Sequence, residues 1–148
     1  MDTRACCSHL DKKREDVHFD VLLKCWDLPK INSNHASHCG SHSFLVGMLC
    51  KEPSFRKLMK DCQELVDHLF SRKKQDVVRV ACCDSHGIHR SYAVATILQG
   101  VCEVSGYTST GPVHIDECNW KEKICTNCKG CRPNNQKTQL YEMVATHW

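Results

Sequence analysis

The chain has 148 residues, 41% apolar and 25% charged, which fits one globular domain of ordinary size. With 20 basic and 17 acidic side chains the net charge is only +3, too small to argue for nucleic acid on charge alone. No apolar run approaches the roughly 20 residues that span a membrane, and the polar N-terminus has no apolar signal core. The expectation is a soluble, cytoplasmic protein whose 13 cysteines are mostly reduced. Their odd number rules out a fully paired disulfide framework.

Residues 1–17 read as a flexible N-terminal arm containing the charge run Asp11-Lys12-Lys13-Arg14-Glu15-Asp16. The short apolar run 19–25, closed by Pro29, suggests a strand. Residues 32–43, rich in Asn, Ser, His and Gly, form a loop, and a short helical segment over 44–50 follows. The clearest helix signal covers 52–72, with Ser54 as its cap. Phe55, Leu58, Met59, Cys62, Leu65, Val66, Leu69 and Phe70 recur there at helical spacing. The run 77–83, Val-Val-Arg-Val-Ala-Cys-Cys, has the β-branched and small residues of a central parallel strand. A helix over 91–104 follows, with Gly106 as its end signal, and then a short strand over 112–116. This alternation predicts an α/β fold, a small parallel or mixed sheet with flanking helices. Beyond residue 117 the texture changes to a cysteine-rich C-terminal extension, 118–148, in which 138–146 reads as a last short helix.

The stretch Cys82-Cys83-Asp84-Ser85-His86-Gly87-Ile88-His89-Arg90-Ser91 sits between the central strand and the helix after it. The first N–H groups of a helix have no partners within it, and their partial positive charge favours an anion. Gly87 permits a tight bend, Arg90 can grip two phosphate oxygens, and His86, His89, Ser85 and Ser91 supply donors. These six residues are therefore the expected phosphate-binding set. Asp84, a carboxylate in the same loop, would repel a phosphate unless protonated or turned away. Cysteine phosphatases need five residues between thiolate and arginine, whereas Cys83 and Arg90 are separated by six. No Gly-x-x-x-x-Gly-Lys-Ser/Thr occurs, which excludes ATP hydrolysis by that route; the loop reads first as a binding site, with an enzyme that processes a phosphoester through the same loop as an alternative.

Several pieces in order resemble the C-terminal domain of the RNase adapter protein RapZ family. Phe19-Asp20-Val21 resembles its opening strand, and Gly40-Ser41-His42 lies where the family has Thr-Gly-x-Asp. The amphipathic helix from Phe55 to Phe70 matches its long helix. Gly87-Ile88-His89-Arg90-Ser91 matches the Gly-x-His-Arg-Ser loop core, and Val113-His114-Ile115-Asp116 resembles the closing Val-x-His-Arg-Asp strand. The likeness spans residues 18–117, taken as one α/β domain. It implies a module that senses or adapts to a phosphorylated metabolite, a sugar phosphate or nucleotide, with RNA binding as an alternative. It places Ser85, Gly87, His89, Arg90 and Ser91 around the phosphate and Asp20 in the same crevice. This chain departs from the family where Cys-Thr-Gly-Gly becomes Asp-Ser-His-Gly and where His42 replaces an acidic residue.

In the extension, Cys118, Cys125, Cys128 and Cys131 are separated by six, two and two residues. Two-residue spacings let thiolates converge on one tetrahedral zinc, and Lys121, Lys123 and Lys129 would offset their negative charge. Two readings stand: a structural zinc site on these four cysteines, or a loop of reduced thiols. His114 is a possible substitute ligand, although the resemblance makes it a strand residue.

Overall fold

The computed structural model describes residues 18–30, 36–85, 89–114, 125, 128, 129 and 131. The expected arm 1–17, the expected helix 138–146, and residues His86, Gly87 and Cys118 lie outside the described residues.

The fold is α/β. In chain order it has β1 (Val21–Lys24), α1 (Ser43–Lys51), α2 (Pro53–Ser71), β2 (Val80–Cys83) and α3 (Arg90–Val104). The two strands pair in parallel, with Val21 opposite Val80 and Lys24 opposite Cys83. Parallel pairing needs a long crossover, and α1 and α2 supply it. Among the described residues, 111–114 carry no strand; residues 115 and 116 of the expected third strand lie outside the description. No helix among the described residues is long and apolar enough to cross a membrane.

Local chemistry explains the helix boundaries. Glu52 is extended (φ −77°, ψ 124°), the conformation imposed on a residue before proline, so α1 ends at Lys51. Pro53 then opens α2 at its first helical position, where a missing N–H costs nothing. Ser54 is therefore not the cap expected from the sequence; Glu52 holds that place and makes no side-chain capping bond. The cap of α3 is His89, again without a side-chain capping bond, and Ser91, the expected first residue of the helix, lies inside the first turn. At the far end Gly106 has φ +88°. The Tyr107 amide donates to the Cys102 carbonyl and the Gly106 amide to Glu103, a left-handed termination that glycine adopts without strain.

The helices bury Phe55, Met59 and Cys62 of α2 against Val46, Leu49 and Cys50 of α1 and Val94, Ile97 and Val101 of α3, with Val21 and Leu23 of β1 in the same cluster. Each large apolar side chain fully removed from water contributes about 1.5–3 kcal/mol. Leu65, expected on the core face, is 42% exposed.

Asp20 marks the entrance to the sheet. Its Oδ2 accepts from the Arg79 amide at 2.7 Å and its Oδ1 from Gln75 Nε2 at 3.3 Å. It therefore caps the N-terminal ends of the strands, whereas the 84–89 connection leaves from the C-terminal end of β2. The expectation that Asp20 shares a crevice with that loop is corrected by this placement: the four residues of each strand, at about 3.3 Å each, lie between them.

Candidate metal centre and the connection ahead of α3

Cys125, Cys128 and Cys131 converge with His38, and the four ligand atoms all lie within 4.8 Å of one another. His38 Nδ1 is 3.3 Å from Cys131 Sγ and 3.6 Å from Cys128 Sγ. A tetrahedral zinc with Zn–S of about 2.3 Å and Zn–N of about 2.1 Å sets neighbouring ligand atoms about 3.5–3.8 Å apart. Three thiols and an imidazole at these separations could hold a metal ion. Three of the four residues were expected from their spacing. The fourth among the described residues is His38; Cys118, also expected, lies outside them. The sequence signal for His38 is the histidine-dense run His35-x-x-His38-x-x-x-His42, which by itself reads only as a polar loop.

The 36–42 segment is built around this cluster. The Cys125 amide donates to the Ser37 carbonyl at 2.6 Å, and the Cys39 amide donates to the Cys131 sulfur. Burial pushes the Cys131 thiol up to about 12, against the lowering effect of that amide hydrogen bond. Coordinating the thiolate there must therefore displace a proton. Cys39 Sγ and Ser41 Oγ, both buried, are 2.9 Å apart. The His38 ring lies against His42 with centroids 4.2 Å apart, and His42 Nδ1 accepts from the Phe44 amide, capping α1.

The opposite side of the same segment rests on the first turn of α3. A Cβ on Gly40 would lie 2.2 Å from the His89 carbonyl oxygen and 2.6 Å from the Ala93 nitrogen, so only glycine fits between these backbones. His89 Nε2 lies 2.9 Å from the Ala36 carbonyl oxygen, in hydrogen-bonding contact. In this way His89, the residue of the expected anion loop that opens α3, touches the segment that carries His38 at two points.

Arg90 is turned inward. Its Nε donates to Asp84 Oδ2 at 3.2 Å and its Nη2 to Asp84 Oδ1 at 2.7 Å. Nη1 donates to the carbonyls of Trp26 at 2.9 Å and Leu28 at 2.8 Å. Of the five N–H groups of a guanidinium, four are engaged: one on Nε, two on Nη1 and one on Nη2. The Arg90 and Asp84 side chains are 10% and 4% exposed. The sequence expectation of Arg90 as the phosphate grip thus meets a guanidinium already shared between a carboxylate and two carbonyls. Asp84, expected to repel an anion, is neutralised by the same pairing. Ser85 is exposed at the start of the connection, its amide donating to Asp84 Oδ1, and Ser91 is buried. Cys83 is 3% exposed. Nearby Cys25 is held as a thiol first by its hydrogen bond with Cys82 and then by burial, which makes it a poor nucleophile.

No protein-family model, curated protein or solved structure matches the chain.

Proposed function

We propose that this is a zinc-clamped α/β domain that receives a phosphorylated small molecule, a sugar phosphate or nucleotide, at the connection between β2 and α3. The zinc reading rests on one observation: three thiols and an imidazole more than 80 residues apart in sequence bring their ligand atoms within 4.8 Å. Zinc suits a nitrogen and sulfur donor set, and closure by four protein ligands makes the site structural rather than catalytic. Metal analysis of the purified protein tests it. One zinc per chain is expected, lost in Cys128→Ser; a protein that retains no zinc after purification in zinc-containing medium overturns it.

The ligand reading is supported by a separate feature. The connection lies past the carboxyl end of β2, where parallel α/β sheets bind ligands, and α3 opens with no acidic residue in its first turn and no side-chain cap. Loop amides, Ser85, His89 and Ser91 are the donors this reading uses, while Arg90 holds the connection to β1. A thermal-shift series with inorganic phosphate, sugar phosphates and nucleotides tests it. A ligand at 100 times its Kd adds about 2.7 kcal/mol, and no shift with any phosphate compound sinks this reading. The RNA alternative predicts an affinity that falls steeply with salt.

A further inference from the structure

We propose that the metal centre and the start of α3 are thermodynamically coupled through residues 36–42, so that metal occupancy sets the order of the first turn of α3. The segment is fastened on both sides. On one side His38 belongs to the metal cluster, Ser37 accepts from Cys125, and the Cys39 amide reaches the Cys131 sulfur. On the other side Ala36 meets His89, and Gly40 lies directly on the carbonyl of His89 and the nitrogen of Ala93. These seven residues cannot shift toward or away from the cysteines without moving against the helix, because the Gly40 contact leaves no free space. Closely packed elements of this kind transmit displacement rather than absorb it.

Coupling of binding free energies is reciprocal, and typical values correspond to about a 5–150-fold change in affinity. A metal that draws His38 and the three cysteines together therefore fixes the Ala36 and Gly40 contacts that set the first turn of α3. A ligand that orders that turn tightens the metal site by the same factor. The identity of that ligand rests on the phosphate reading above; the mechanical link does not.

The link is tested on the full chain loaded with zinc. His89 is no metal ligand, yet His89→Ala removes its contact with Ala36. The variant is expected to keep one zinc per chain while its zinc affinity, read by competition with a chromophoric chelator, falls at least about fivefold, the lower end of such couplings. Hydrogen exchange at residues 89–93 is expected to quicken when zinc is withdrawn, by more than at the α2 core. An unchanged zinc affinity in His89→Ala, or 89–93 exchange that ignores zinc, overturns the coupling. Inorganic phosphate added to wild type separates the two readings: slower zinc loss with phosphate supports both. Zinc loss that responds to His89→Ala but not to inorganic phosphate, sugar phosphates or nucleotides keeps the coupling and removes the phosphorylated ligand.

Discussion

Two connections meet at the N-terminus of α3, and they are held by different chemistry. The two ends of the 84–89 connection are tied locally: Arg90 reaches back six residues to Asp84 and across to the carbonyls after β1. The 36–42 segment has its anchor far away in sequence, in cysteines 125, 128 and 131. The first is a buried ion pair, complete without any added component. The second brings three thiols against one imidazole, a set that could hold a metal ion in exchange for the thiol protons. The contrast separates a permanent brace from a conditional one.

The largest expected effect breaks the conditional brace. Structural zinc supplies about 10–16 kcal/mol to small zinc-finger peptides, an upper bound for a domain with its own core. Chelation of the wild-type protein is expected to lower its melting temperature, and the same chelator should leave Cys128→Ser unmoved; scanning calorimetry of both compares them directly.

Next comes the permanent brace. Removing one partner of a buried ion pair typically costs about 3–5 kcal/mol because the other charge is left unpaired. Arg90→Ala is expected to destabilise the domain by about that amount in denaturant titrations, with zinc present or absent. The Asp84→Ala and Arg90→Ala double variant should cost less than the sum of the two single changes. Additive losses would show that the pair is not coupled.

The contact between the two braces gives a smaller effect. Gly40→Ala places a methyl group where the His89 carbonyl already stands, and overpacking of this kind costs about 1–3 kcal/mol. A loss confined to the zinc-loaded protein would mean that the segment closes on α3 only when metal is bound; an equal loss in both states would mean that it is closed throughout.

The pH dependence sharpens the comparison further. The Cys131 thiol, raised to about 12, is protonated near neutrality, so zinc must displace its proton and metal affinity is expected to rise with pH between about 6 and 9. Titration calorimetry in buffers of different ionisation enthalpy measures the released protons. The Cys62 thiol, raised to about 12 by burial and then by Cys102, acts on the core instead. Its folded value lies above the unfolded one, so its stabilisation is complete below the ordinary thiol range near 8.5 and is lost as pH rises toward 12. Cys62→Ala should flatten that alkaline decline, whether or not zinc is bound.

Local sequence carried much of the fold. Period 3.6 in Phe55, Met59, Cys62 and Val66 marks the buried face of α2, Pro53 and Gly106 punctuate the helices, and the β-branched and small residues at 80–83 lie in a strand. The same local signals misplace Leu65, because a helical stripe gives direction but not the width that neighbouring helices cover. The site was legible only where its parts are close in sequence. Two-residue spacing brought out Cys125, Cys128 and Cys131, whereas His38, in a loop without periodicity, gave no such signal.

The amino-acid order alone therefore determined the two strands and three helices, the proline and glycine that punctuate them and the cysteine knuckle, since each depends on residues within one or two turns of each other, while the cap expected at Ser54 gave way to Glu52. Only the tertiary structure decided that His38 meets the cysteines, that Asp20 sits at the far end of the sheet, and that Arg90 turns to Asp84 instead of outward. Choice of a ligand or an ion-pair partner is a matter of distance through space, and the crossover between two parallel strands sets that distance.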